Sequence, residues 1–298
     1  MKKIGFIGIG DMGTYMAKNL LCAGYDVRGY DIDAARLDVF AENGGFVCKN
    51  CAEVGEGIDT LVVMVLSEAQ VEDVLFGETG AMQTLRPGST VIITATIGKK
   101  AVEELARRML AEGIYTIDCA VTGGQFGAEA VTLTMMAAGK REVFDDQLPV
   151  LEKMGKTIVF AGEEPGLGQV VKLCNSILCT TATLATFEAL VLGTKAGIAP
   201  EILKEVMGAG IAGSPLFNNC AQRIIDREFY HTGTHIRTFY KDANLSLDMA
   251  AHCGVSVPLM ALCKEFIKAG ITKYPDGDNW IIVKFFEDMA GVEVTKSN

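Results

Sequence analysis

The stretch from Gly166 to Gly197, GLGQVVKLCNSILCTTATLATFEALVLGTKAG, carries side chains whose types and spacing suggest chemistry. Lys172, Asn175, Ser176 and Cys179 fall at i, i+3, i+4 and i+7, so a helix aligns them on one stripe. An ammonium, an amide and a hydroxyl on one stripe can hold a small polar ligand. The same stretch also fits a core helix with a lysine snorkelling at its end, and nothing inside it separates the two readings. Its charge-free run, Leu173 to Phe187, is 15 residues long and contains four threonines and an asparagine. A membrane span needs about 20 apolar residues, so this helix is expected to lie within protein.

Composition narrows the classes. A chain of 298 residues, 49% hydrophobic and 21% charged with only seven prolines, is expected to fold throughout as one large or two ordinary domains. The net charge of −10, with no basic run longer than Lys99-Lys100 or Arg107-Arg108, gives a field that repels nucleic acid and anionic lipid. Nine cysteines, an odd number at apolar positions, point to reduced, buried thiols in a cytoplasmic protein. Cys48 and Cys51 form a lone CxxC, and His231, His235 and His252 supply no second ligand pair at metal spacing, so no metal is expected. The apolar run after Met1-Lys2-Lys3 is too short for a signal peptide.

The elements that must position the stripe begin at the N-terminus. Lys3 to Gly8 predicts a buried strand, and TYMAKNLLCAG predicts a helix, with Gly8-Ile9-Gly10-Asp11-Met12-Gly13 between them. A GxGxxG turn in this context lets the backbone approach a pyrophosphate at a helix N-terminus. A second strand, Tyr25 to Tyr30, ends in Asp31, a carboxylate placed to accept from an adenosine ribose and to repel a 2′-phosphate, which favours NAD over NADP. Helices over Ala34 to Asn43, Glu68 to Leu75 and Lys99 to Glu112 alternate with strands over Asp59 to Val65, Ser89 to Ile93 and Ile114 to Cys119. Such alternation predicts a mainly parallel sheet covered on both faces, with ligands beyond the carboxyl ends of its strands. Val65-Leu66-Ser67 and Thr94 to Ile97, with Thr96 among them, are therefore expected at the cofactor.

Thr122-Gly123-Gly124 offers a hydroxyl and two unobstructed amides after a strand end, which suits a carboxylate. Leu133 to Ala138 and Thr157 to Phe160 predict two more strands around a helix over Arg141 to Met154. Beyond Gly162 to Gly166 only helices are predicted: the long one, Glu201 to Met207, Leu216 to Ile225, Ile236 to Cys253, Pro258 to Ala269 and Trp280 to Met289. The expected domains are thus 1–163, Rossmann-type α/β, and 164–298, all-α, with Lys172 near the mouth between them.

With IGFIGIGDMGTYMAKNL, DCAVTGGQFGAEAVTLTMMAAG, GLGQVVKLCNS and Lys241-Asp242 in this order, the whole chain resembles the β-hydroxyacid dehydrogenase family. The resemblance implies an NAD-dependent oxidoreductase for a small carboxylic acid, working as a homodimer or homotetramer through its helical part. It implies that Lys172 is the general acid/base, that Thr122, Gly123 and Gly124 with Asn175 and Ser176 hold the substrate, and that Lys241 closes the site near cofactor and substrate with Asp242 orienting it. Gly8 to Met12, Asp31, Val65 to Ser67 and Thr96 would hold the cofactor. The chain departs from the pattern twice: Thr122 stands for the usual serine and Ser176 for the usual asparagine. His235 and Arg237 are further candidates for the pocket, although an exposed arginine at a helix start is the simpler reading of Arg237. An inactive dinucleotide-binding sensor and an imine reductase share the architecture; a retained lysine at 172 argues against both.

Overall fold

Eight strands form a single sheet in the computed structural model, which describes residues 2–297. They are β1 (Lys3–Ile7), β2 (Asp26–Tyr30), β3 (Phe46–Val47), β4 (Thr60–Val63), β5 (Thr90–Ile93), β6 (Tyr115–Thr122), β7 (Leu133–Ala138) and β8 (Gly155–Gly162), in the order β3-β2-β1-β4-β5-β6-β7-β8. Helices α1 (Gly13–Cys22), α2 (Ala34–Glu42), α3 (Cys51–Gly55), α4 (Glu68–Phe76), α5 (Lys99–Ala111), α6 (Gly124–Glu129) and α7 (Arg141–Leu151) intervene. Because alternate side chains point to opposite faces, Ile4, Phe6, Val62 and Ile92 enter one core while Ile7, Leu61, Val63 and Val91 enter another. The chain leaves β1 towards β2 on one side and resumes with β4 on the other. That reversal is the switch point at which a doubly wound sheet opens a crevice.

The structure differs from the sequence reading in several places. The pairing of β6 with β7 is antiparallel, the remaining pairs being parallel. The connection through α6 is a single short helix, and a parallel return needs a longer crossover. Strand β3 and the 3-10 turn Ala81–Gln83 were not anticipated. The last predicted helix is a 3-10 turn, Asn279–Ile282, leading into a shorter α-helix. All nine cysteines are free, but Cys22, Cys174 and Cys253 are exposed rather than buried. Cys48 and Cys51 do lie in a core, where burial pushes their thiols up to about 11 and about 12.

Helix α8 (Leu167–Lys195) is long and apolar enough to cross a bilayer. It is followed by α9 (Pro200–Ala209), α10 (Pro215–Ile225), α11 (Ile236–Cys253), α12 (Pro258–Lys273) and α13 (Val283–Ala290). Leu184, Phe187 and Leu190 of α8 are buried in one core with Phe217, Ile267 and Trp280. The chain divides into two compact units inside α8, the first ending at Lys172 and the second beginning at Leu173.

Within the first unit, a buried polar cluster starts α8. Asp118, midway along β6 and fully buried, accepts from the N–H groups of Gly166 (3.0 Å) and Gln169 (2.9 Å) through Oδ2. These are N–H groups that a helix start leaves without intrahelical partners, and the positive end of the helix dipole favours the carboxylate. Gly168 is demanded by this closeness: a Cβ there would lie 2.4 Å from the Met136 carbonyl and 2.8 Å from Asp118 Oδ2. Burial is nevertheless the larger effect on the acid, pushing it from 3.8 up to about 6 against the hydrogen bonds that lower it.

A raised native pKa means that the folded state binds this proton more tightly than the unfolded chain. Its stabilising contribution is therefore complete below pH 4 and is lost as pH rises through about 6, on the order of 3 kcal/mol at most. Urea unfolding at pH 4 and pH 7 should show the Asp118→Asn variant gaining about 1–3 kcal/mol relative to the wild type over that interval. An unchanged gap would mean that Asp118 is ionised at both values.

Candidate active site

The β1–α1 turn is built from glycines that do different things. Gly8 has φ +91°, and a Cβ on it would lie 2.5 Å from the Met64 carbonyl; a Cβ on Gly13 would lie 1.9 Å from the Gly8 carbonyl. Both are therefore fixed by backbone packing. At Gly10 a Cβ would meet only the mobile end of Arg36, with Nη1 at 2.5 Å, so that glycine keeps the outer side of the loop low. Helix α1 has no side-chain cap among the described residues, and the Thr14 hydroxyl donates to the Ile9 carbonyl at 2.9 Å. Its first N–H groups and its dipole suit a phosphate.

Asp31 closes this turn from the end of β2. Its Oδ2 accepts from Ile9 N–H at 2.7 Å and its Oδ1 from Asp33 N–H at 2.9 Å. An ionised carboxylate has about four lone-pair sites, so two remain for ribose hydroxyls. Arg36, which the sequence reading passed over, extends from α2 to Asp11 (3.1 Å) and Asp33 (3.4 Å) beside Gly10. Glycine loop, Asp11, Asp31 and Arg36 thus form one surface, with Met12 half-buried at the start of α1.

Parallel pairing of β1, β4, β5 and β6 brings their carboxyl ends to one edge of the sheet. Val65 lies there against Gly8, its Cγ1 3.0 Å from where a Cβ would be. Leu66 is 66% exposed, and its N–H donates to Gln70 Oε1 at 2.8 Å. Ser67 accepts from Gln70 N–H at 3.3 Å, so its hydroxyl serves as the N-cap of α4. Thr94 donates to the Val63 carbonyl, which leaves Thr96, half-buried, as the outer hydroxyl of the β5 end.

The third loop on this edge is Thr122-Gly123-Gly124. Thr122 is the last residue of β6, and Gly123 (φ +124°) and Gly124 (φ +64°) turn the chain into α6 with their backbone exposed. Asn19 of α1 donates to the Ala128 carbonyl at 2.8 Å and Gln125 to the Tyr15 hydroxyl at 3.4 Å, so this turn is tied to the helix of the glycine loop. Lys172, half-buried, follows Gln169 by three residues on α8, the same side of the helix.

In the second unit, Asn175 donates to Cys179 Sγ at 3.6 Å. Ser176, buried, donates to Asp242 Oδ2 at 3.4 Å, while Lys241 donates to Asp242 Oδ1 at 2.8 Å. Asp242 therefore joins the residue that departs from the family pattern to the lysine of α11. His235 caps α11 by accepting from Arg237 N–H (3.1 Å), and the Arg237 guanidinium donates to the Pro275 carbonyl at 3.2 Å, exposed. Both side chains thus serve the start of α11.

An uncapped helix N-terminus behind a low glycine loop, with a carboxylate at the end of the next strand, fits a dinucleotide. Residues 3–162 match the family model for the NAD binding domain of 6-phosphogluconate dehydrogenase, and residues 166–286 the model for NAD-binding of NADP-dependent 3-hydroxyisobutyrate dehydrogenase. The chain is 32% identical over 286 residues to L-threonate dehydrogenase of Cupriavidus necator, covering 96% of both. It is 34% identical over 263 residues to 2-hydroxy-3-oxopropionate reductase of Escherichia coli, covering 88% of this chain and 89% of that one. The crystal structure of 3-hydroxyisobutyrate dehydrogenase from Salmonella typhimurium matches with a TM-score of 0.87 at 27% identity, over 96% of this chain and 100% of that one. The chain belongs to the β-hydroxyacid dehydrogenase family, NAD(P)-dependent oxidoreductases that act on a CH–OH group.

Proposed function

We propose that this enzyme interconverts a small β-hydroxy acid and its semialdehyde or β-keto acid, with NAD as the preferred cofactor and Lys172 as general acid/base. The observation that carries this reading is the placement of Lys172, three residues beyond the buried Gln169 of α8, in the same unit as the dinucleotide loop. The dehydrogenase and reductase names of the relatives refer to short hydroxy or oxo acids, which supports the substrate class.

A nicotinamide cofactor held by the glycine loop and Asp31 would supply the acceptor for the hydride of the hydroxyl-bearing carbon. The residues of the chain handle charge and protons. The exposed amides of the Thr122-Gly123-Gly124 turn receive the carboxylate, with Asn175 and Ser176 assigned to the remainder of the substrate. Lys172, as a neutral amine, takes the hydroxyl proton and, as an ammonium, polarises the carbonyl in the reverse direction. Lys241, held by Asp242, is assigned to the closing of the site. Residues 1–163 are read as the cofactor domain and 164–298 as the substrate and assembly domain.

Cofactor preference follows from charge. Around Gly10 three carboxylates, Asp11, Asp31 and Asp33, face one guanidinium, Arg36, a net negative surface for an incoming 2′-phosphate. We assign the enzyme to the cytoplasm as a homo-oligomer; exposed Leu178 (71%), Leu192 (71%) and Val206 (66%) on α8 and α9 support assembly through the helical unit.

Lys172→Ala should lower kcat about 10²- to 10⁴-fold while NADH binding, followed by fluorescence, is retained; unchanged turnover would remove Lys172 from the mechanism. In parallel assays kcat/KM with NAD should exceed that with NADP by roughly tenfold or more, equivalent to about 1.4 kcal/mol, and an NADP preference would contradict the role given to Asp31. Light scattering at micromolar concentration should give at least a dimer mass, and a monomer would refute assembly through these apolar residues.

A further inference from the structure

We propose that Gln169 is a positioning residue for the reaction, one side chain that fixes the Thr96 backbone and the first turn of α8 together and so sets where the Lys172 amine stands. This rests on the role given to Lys172 above. Gln169 is fully buried and its amide is used completely. Oε1 accepts from Ile97 N–H at 3.0 Å and Gly98 N–H at 3.1 Å, while Nε2 donates to Asp118 Oδ1 at 2.8 Å and to the Ala95 carbonyl at 3.1 Å. Ala95 and Ile97 flank Thr96, so the amide pairs with the backbone on both sides of that residue, as a neighbouring strand would. The same residue's own N–H is held by Asp118, which also holds Gly166.

The geometry explains why a neutral amide stands here. It presents two donors and two acceptor sites in one plane, and its four partners are two N–H groups, a carbonyl and a carboxylate. No apolar side chain serves them, and a carboxylate in its place turns an oxygen against Asp118 and the Ala95 carbonyl. An ångström of misplacement relative to the reacting atoms is enough to slow a reaction about a hundredfold.

The test compares the full-length wild type with Gln169→Leu and Gln169→Glu by thermal melting, amide hydrogen exchange and steady-state kinetics. In Gln169→Leu, exchange at Ile97 and Gly98 should accelerate, and kcat per folded enzyme should fall about a hundredfold with substrate KM changed less than threefold. A merely structural role would reduce the amount of folded enzyme and leave kcat unchanged. Faster exchange at Ile97 and Gly98 with kcat within threefold of wild type would overturn the proposal. Lys172→Ala is assayed alongside: if it keeps turnover, the reading of Lys172 fails independently of Gln169.

Should Gln169→Leu not fold, Gln169→Glu keeps the shape and the Oε1 acceptor and places a carboxyl against that of Asp118. Other ionisable groups around this cluster are Cys119 on β6, Lys172 on α8, and Lys99 and Glu103 of α5, which pair with each other beside Gly166. Two facing carboxyls coexist by sharing a proton, so the ratio of variant to wild-type kcat should rise at least fivefold from pH 8 to pH 6. A ratio near one at both values would overturn the proposal.

Discussion

A buried carboxylate without an ion pair among the described residues is costly, and Asp118 is held by dipoles instead. The N–H groups at the start of α8 and the amide of Gln169 supply them, and in doing so they tie the middle of β6 to the first turn of the longest helix. Removing one partner would leave others buried and unpaired, at about 1–3 kcal/mol for each group. The placement of the helix start, and with it Lys172 in the first unit, follows from this cluster.

The dinucleotide side depends on a different constraint, the close approach of backbones. Gly8 and Gly13 are required because β1, β4 and α1 crowd one another, whereas Gly10 leaves the outer face of the turn low beneath Arg36. Asp31 then serves two purposes with one group: it accepts the Ile9 and Asp33 N–H groups and retains lone pairs for a ribose. With the role proposed for Asp31, ordering of the loop and recognition of the cofactor would be carried by the same carboxylate.

What could be read from the sequence was local or periodic. The strand–GxGxxG–helix unit and Asp31 are legible because backbone requirements fix residue types within a short span, and α11 was legible to the residue because its apolar period is regular. The reversal at β7 was not, since alternation of side chains carries no information about strand direction. Gln169 was passed over for another reason: its partners are 51 to 74 residues away, and one glutamine in an apolar helix has no local signature. Arg36 was missed likewise, because the pairing with Asp11 across Gly10 exists only once α2 has packed. Ser176 was recognised as unusual, but the hydrogen bond to Asp242 depends on α11 lying against α8 within the helical unit.

The antiparallel return from β6 to β7 has a thermodynamic consequence for the turn it creates. Thr122 pairs with Thr134 across the two strands, so the segment carrying Gly123 and Gly124 is anchored to the sheet at both stems. A loop anchored in this way has already given up most of its conformational freedom during folding. A ligand docking on those amides has less disorder left to remove, and more of the interaction energy is retained as affinity.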